Sequence, residues 1–170
     1  MQTYNELYIS LRQRLKEQGV EECSLEARLL VAHAADKRPA ELLRDLQLYS
    51  SPEVEARLEE LAARRLAGEP AAYILGRWEF CGLDLRVTPD VLIPRADTEV
   101  LAETALGLLR GREEEARILD LCAGSGCVGC ALGYALPKSR VVFKSGETSK
   151  QKRILLMGVT ADEVRRVVGA

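Results

Sequence analysis

The stretch Arg117-Ile118-Leu119-Asp120-Leu121-Cys122-Ala123-Gly124-Ser125-Gly126-Cys127 decides the fold of the second half of this chain. Ile118 to Leu121 is a short apolar run, read as a buried strand and expected to be the first parallel strand of an α/β sheet. Gly124 and Gly126 then let the backbone turn sharply and approach a ligand with no Cβ in the way. Small residues from Cys127 to about Leu136 form a helix that Pro137 ends, and the amides opening that helix face a ligand with its positive end. Gly124-x-Gly126-x-x-Gly129 also meets the dinucleotide-binding pattern, as do glycine turns that serve only packing. Asp120 lies before the glycines, at the strand end, where a carboxylate can hold an amino-acid ammonium rather than a pyrophosphate.

Downstream, Val141-Val142-Phe143 is a candidate second strand. Residues 144–153 are polar and rich in breakers, Ile154 to Val159 has strand character, and Thr160 to Val168 reads as a short helix.

Upstream, the periodicity is helical. Thr3 and Glu6 have capping-box spacing, Leu7, Leu11 and Leu15 fall on one face, and Gly19 closes the helix. Ser24 is expected to cap a second helix whose inner stripe is Leu25, Leu29, Ala32 and His33. Pro39 suits the first turn of a brief helix through Leu46. Ser51-Pro52 starts another, with Val54, Leu58, Leu61 and Leu66 inward and Gly68 at its end. The outward Arg and Glu residues form a solvated face. From Pro70 the pattern alternates instead: Trp78 to Phe80 and Leu83 to Val87, split by Cys81-Gly82, predict a hairpin. Pro89 and Pro94 bracket an extended Val91-Leu92-Ile93. A helix from about Asp97 to Leu109 follows, with Val100, Leu101, Ala105 and Leu108 inward. Helices followed by β-turn-α-β imply a helical N-terminal domain joined to an α/β domain.

The 24 basic and 26 acidic side chains nearly cancel, unlike the basic footprint of a chain that binds nucleic acid directly. No stretch approaches the roughly 18 apolar residues of a membrane span. The start Met1 to Glu6 has no signal-peptide pattern, so a cytoplasmic location is expected. Of the five cysteines, Cys122, Cys127 and Cys130 crowd together, a poor disulfide framework, so reduced thiols are expected.

Residues 68–129 carry a further signal. Gly68-Glu69-Pro70-Ala71-Ala72-Tyr73-Ile74-Leu75-Gly76, then Phe80, then Val91-Leu92-Ile93-Pro94-Arg95-Ala96-Asp97-Thr98-Glu99 resemble the release-factor glutamine methyltransferases (HemK/PrmC-like). That family's pattern is G-x-P-x-x-Y-I-x-G, F, then V-L-I-P-R-P-D-T-E, with Ala96 here replacing the second proline. Its turn D-L-G-T-G-S-G appears as Asp120 to Gly126, with Cys122 in place of the first glycine. The resemblance runs over roughly residues 1–143.

It implies residues 1–70 as a helical substrate-docking domain, 71–95 as a hairpin linker, and 96–143 as part of a Rossmann-like class I methyltransferase domain. Residues 144–170 match nothing in the family and form an atypical tail. The implied activity is S-adenosyl-L-methionine-dependent methylation of the side-chain nitrogen of a glutamine in the Gly-Gly-Gln loop of peptide-chain release factors. Carried over by position, Asp120, Cys122, Ala123, Gly124, Ser125 and Gly126 contact the cofactor, and Arg95, Asp97 and Glu99 line the site. Asp97 and Glu99 equally suit a helix N-terminus, where acidic residues stabilise the dipole.

The family's ribose-binding acidic residue falls at Ser145, with Glu147 as a nearby stand-in. The family's Asn-Pro-Pro-Tyr motif is absent, Asn5 being the only asparagine, so no catalytic residue is assigned and this chain is expected to be an incomplete, inactive form. A truncated or frame-shifted product is the simplest origin.

Three other readings fit parts of the pattern. A non-catalytic module could bind release factors through its helices. Cys122-x4-Cys127-x2-Cys130, with Cys81, has the spacing of an iron–sulfur site. A nicotinamide oxidoreductase could use the same glycines with Glu147 on the ribose. His33 reads as a helix-face core residue, and no metal site is assigned.

Overall fold

A computed structural model describes residues 1–109 and 124–135 with their side chains, and the backbone of 142–145 and 153–155. The chain divides into two compact units, Met1–Gly76 and Arg77–Ala170.

The first unit is helical: α1 (Tyr4–Glu17), α2 (Cys23–Ala34), α3 (Pro39–Arg44), α4 (Pro52–Leu66) and α5 (Ala71–Leu75). At the start of α1 the Thr3 hydroxyl accepts from Glu6 N at 3.2 Å, and Thr3 N donates to Glu6 Oε2 at 2.7 Å. This is the predicted capping box, worth about 1 kcal/mol. Helix starts leave amides without intrahelical partners. Here Tyr4 N and Asn5 N donate to Leu48 O and Leu46 O at 3.1 and 2.9 Å, so the loop before α4 completes the cap. Leu7, Leu11 and Leu15 are buried as the periodicity requires, and Gly19 at φ +74° ends the helix region.

Helix α2 is the hub, packing against α1, α3, α4 and α5. Its buried stripe is Ala27, Leu30, Val31 and Ala34, with Ala32 also buried. The predicted stripe is therefore corrected: Ala32 belongs, whereas Leu25, Leu29 and His33 are only half-buried. The helix also opens two residues early, with Glu22 at the N-cap and no side-chain cap from Ser24. A helix enclosed on several sides buries residues around more than one face, and packing outweighs a single missing cap. Helix α3 stops at Arg44 rather than Leu46. Helix α4 follows expectation, with Ser51 capping Val54 N at 3.4 Å and Leu58 and Leu61 buried. Each such leucine contributes about 1.5–3 kcal/mol by leaving water. Helix α5 carries the compact unit on to Gly76, with Ile74 in the shared core.

The second unit opens with β1 (Arg77–Phe80) and β2 (Leu83–Arg86), paired antiparallel with Trp78 opposite Leu85 and Phe80 opposite Leu83. The two-residue turn between them has Cys81 at φ +50° and Gly82 at φ +73°. Two positive φ values make it a primed turn, whose twist matches that of the flanking strands. A tight turn over residues 88–91, with Val91 N donating to Thr88 O at 3.0 Å, leads to residues 92–95, which lie outside any helix or strand.

Helices α6 (Ala96–Leu109) and α7 (Cys127–Ala135) pack together, and with the hairpin they enclose Phe80, Ala102, Cys127 and Ala131. The predicted inner face of α6 is rotated. Ala102 is buried, whereas Val100, Leu101 and Leu108 are 62, 60 and 75 % exposed. Ala102 is small enough for the aromatic ring of Phe80 and the residues of α7 to approach closely, and that close packing selects the face.

The remaining described strands, β3 (Val142–Ser145) and β4 (Arg153–Leu155), pair antiparallel with an irregularity between Phe143 and Ser145. The expected parallel strand at Ile118–Leu121 lies outside the described residues, as does the helix expected over Thr160 to Val168.

Candidate functional site

The glycine turn precedes α7 directly. Gly124 has φ +55° and Gly126 φ +80°, left-handed values that cost a side-chain-bearing residue about 1–2 kcal/mol. A Cβ built on Gly126 would meet no atom within 4 Å, so its backbone conformation, not crowding, calls for glycine. Gly126 is buried, Ser125 half-buried and Gly124 exposed. The helix that follows is anchored at once, with Cys130 N donating to Gly126 O at 2.9 Å. Amides at such a turn and helix start can hold a polar or anionic ligand group. Asp120, Cys122 and Ala123, expected to complete this turn, lie outside the described residues, and so does Glu147. Ser145 ends β3.

The segment before α6 supplies the other expected residues. Pro94 is buried, fixing the approach to the helix, while Arg95 and Asp97 are exposed. Asp97 and Glu99 both stand in the first turn of α6, where acidic side chains offset the helix dipole. Glu99 does more than this: its Oε1 accepts from the backbone amide of Cys81 at 2.9 Å. One end of its carboxylate is thereby committed to the hairpin turn. Burial, then the Glu99 and Glu103 carboxylates, then Cys127 push the Cys81 thiol above its ordinary pKa. Among the described residues no group of three or more His, Cys, Asp or Glu could hold a metal ion.

The helical unit has a groove of about 220 Å3, lined by Leu7, Leu11, Leu58 and Ala62 and by the polar Gln2, Ser10, Arg14, Glu55 and Glu59. Arg14 grips Glu59 through both nitrogens at 2.7 and 2.8 Å. Nothing in the linear pattern marks this groove, because its walls come from α1 and α4, more than forty residues apart.

Residues 6–76 match the PrmC N-terminal domain family. Over 117 residues, 69 % of this chain, it is 49 % identical to a release factor glutamine methyltransferase of Bordetella pertussis, covering 43 % of that protein. A protein of the same name from Geobacter sulfurreducens is 45 % identical over 128 residues, 75 % of this chain and 44 % of the relative. About 70 % of the chain is thus homologous to part of the release factor glutamine methyltransferases, and its residues 6–76 carry the PrmC N-terminal domain match.

The chain spans less than half the length of those two relatives. A bifunctional methyltransferase of Rickettsia prowazekii is also similar, 37 % identical over 147 residues, 76 % of this chain and 28 % of the relative. The PrmC N-terminal domain match and the helical unit end at the same residue, Gly76. No helix among the described residues is long and apolar enough to cross a membrane. The contact that the linear pattern missed is the one from Cys81 to Glu99. The pair is 18 residues apart, and no local spacing rule links a turn amide to a helix carboxylate.

Proposed function

We propose that this chain is part of an S-adenosyl-L-methionine-dependent protein N5-glutamine methyltransferase that acts in the cytoplasm on the Gly-Gly-Gln loop of peptide-chain release factors. The observation that carries the reading is the likeness, over about 70 % of the chain, to proteins named release factor glutamine methyltransferase. The left-handed backbone at Gly124 and Gly126, opening α7, agrees with a cofactor turn at the start of a Rossmann-like domain. When bound, the cofactor would supply an electrophilic methyl group on sulfur. Asp120 and the backbone from Cys122 to Gly126 would hold its amino-acid end, and Arg95 and Asp97 would line the approach. Glu99 would act mainly by positioning, since it joins the hairpin turn to α6. The helical unit would dock the release factor.

The 170 residues alone are proposed to be inactive. An amide nitrogen is a poor nucleophile, and holding it in line with the methyl carbon is most of the task. The family's Asn-Pro-Pro-Tyr clamp does not occur among these residues, and Ser145 stands where the ribose carboxylate belongs. A lost charge-assisted hydrogen bond costs about 1.5–3 kcal/mol, so cofactor affinity is expected to fall on the order of tens- to hundreds-fold below a full-length family member.

The test incubates the purified chain with labelled S-adenosyl-L-methionine and a release factor beside that full-length enzyme. Label reaching the Gly-Gly-Gln glutamine within about a hundredfold of the control rate would overturn the inactivity. A second reading, a non-catalytic release-factor-binding module, is favoured by the same missing clamp. It predicts release-factor binding with no cofactor binding at all, which calorimetry separates. Failure to bind either partner would sink both readings.

A further inference from the structure

We propose that Cys81 and Cys127 are a reversible thiol pair, closed to a disulfide by a small oxidised disulfide such as oxidised glutathione. Three placements support it. Cys81 occupies the first central position of the β1–β2 turn at φ +50°, where asparagine, aspartate or glycine suits the backbone. The turn's backbone does not itself call for a cysteine. That side chain packs against the cluster of Phe80, Ala102, Cys127 and Ala131, in which Cys127 is 7 % exposed and Cys81 half-buried. The position is also held from a second side, because Glu99 on α6 accepts from the Cys81 amide and α6 packs on α7. The turn, α6 and the first residue of α7 therefore meet at one place. Both cysteines stand as free thiols.

The exchange balances without a metal or a further cofactor. The Cys81 thiolate attacks one sulfur of oxidised glutathione and expels one glutathione thiolate. The Cys127 thiolate then attacks the Cys81 sulfur of the mixed disulfide and expels the second. Two cysteine thiols lose two protons and two electrons, and two molecules of reduced glutathione carry them away. The half-exposed Cys81 is the entry point for the reagent, and the buried Cys127 resolves the mixed disulfide. Burial keeps the Cys81 thiol protonated more than usual, so the first step is slow. The bridge would tie the hairpin to the first residue of α7, next to the glycine turn.

The test exposes the full chain to oxidised glutathione, then quenches, alkylates and digests it with trypsin under non-reducing conditions. The expected product joins peptide 78–86 to peptide 118–138, with fragmentation placing the bridge on Cys127. Reduced glutathione is expected to reverse it. Oxidation is also expected to slow hydrogen exchange at the Cys81 amide at least tenfold. Cys127→Ser should leave only a mixed disulfide at Cys81, whereas Cys23→Ser should change nothing. A bridge from Cys81 to Cys122 or Cys130 would overturn the proposal. So would a wild-type chain that yields only mixed disulfides, a result that needs no variant to fold.

Discussion

Glu99 Oε1 and the backbone amide of Cys81 lie 2.9 Å apart, and this single hydrogen bond joins the tip of the β1–β2 hairpin to the first turn of α6. Glu99 is half-buried, so water replaces it poorly. Glu99→Ala is expected to destabilise the second unit by about 1–3 kcal/mol, the usual range for a hydrogen bond to a charged group or for an amide left unsatisfied. Glu99→Gln, which keeps an acceptor, should cost less. Hydrogen exchange at Cys81 should quicken in the alanine variant and much less in the glutamine one; equal exchange in all three proteins would contradict the contact.

Gly126 and Gly107 make a matched pair, since a Cβ at either meets nothing within 4 Å, yet only Gly126 has positive φ. Gly126→Ala should lose about 1–2 kcal/mol from backbone strain alone. Gly107→Ala, exposed in the last turn of α6, should gain up to about 1 kcal/mol from helix propensity. Urea unfolding of both variants reads the two signs directly. If both glycine changes destabilise equally, the turn geometry is wrong.

Two ion pairs in the helical unit should differ in weight. Arg65 Nε and Glu26 Oε2 are 2.5 Å apart, with side chains only 17 and 13 % exposed, and they tie α4 to α2. Removing Glu26 alone strands a largely buried guanidinium and should cost about 2–4 kcal/mol. Removing Glu59, which is 64 % exposed opposite Arg14, should cost under about 1 kcal/mol. Double-mutant cycles on both pairs decide the order.

Acid should loosen the helical unit through its caps. The Arg38 side chain, then its backbone amide, hold Glu41 down to about 2. Glu55 is lowered by the Gln2 amide and then the Ser50 hydroxyl, and Glu6 by the Thr3 amide and then its hydroxyl. These are carboxylates with depressed folded-state values, so their stabilisation is complete above the ordinary value of 4.5 and is lost as pH falls below it, for Glu41 down to about 2. Glu41→Gln should flatten that part of the stability profile. An NMR titration placing the Glu41 midpoint near 4.5 would remove its share.

Local chemistry by itself determined much of this protein. The Thr3–Glu6 box, the Leu7-Leu11-Leu15 stripe, the Ser51 cap of α4 and the Cys81-Gly82 turn each depend on residues within a few positions, and each has the form that spacing dictates. The motif around Ile93-Pro94-Arg95 and Gly124-Ser125-Gly126 was likewise enough to mark the family. Tertiary structure alone decided which faces are buried on α2 and α6. Both helices carry apolar residues around more than one side, as in Leu29-Leu30-Val31-Ala32 and Val100-Leu101-Ala102, so periodicity leaves several stripes open. Neighbours then choose among them: four helices surround α2, and the small Ala102 admits Phe80 and α7. The partner of Glu99 was settled in the same way. A carboxylate in the first turn of a helix has a local use at the dipole, and only the folded hairpin brings the Cys81 amide within reach of it.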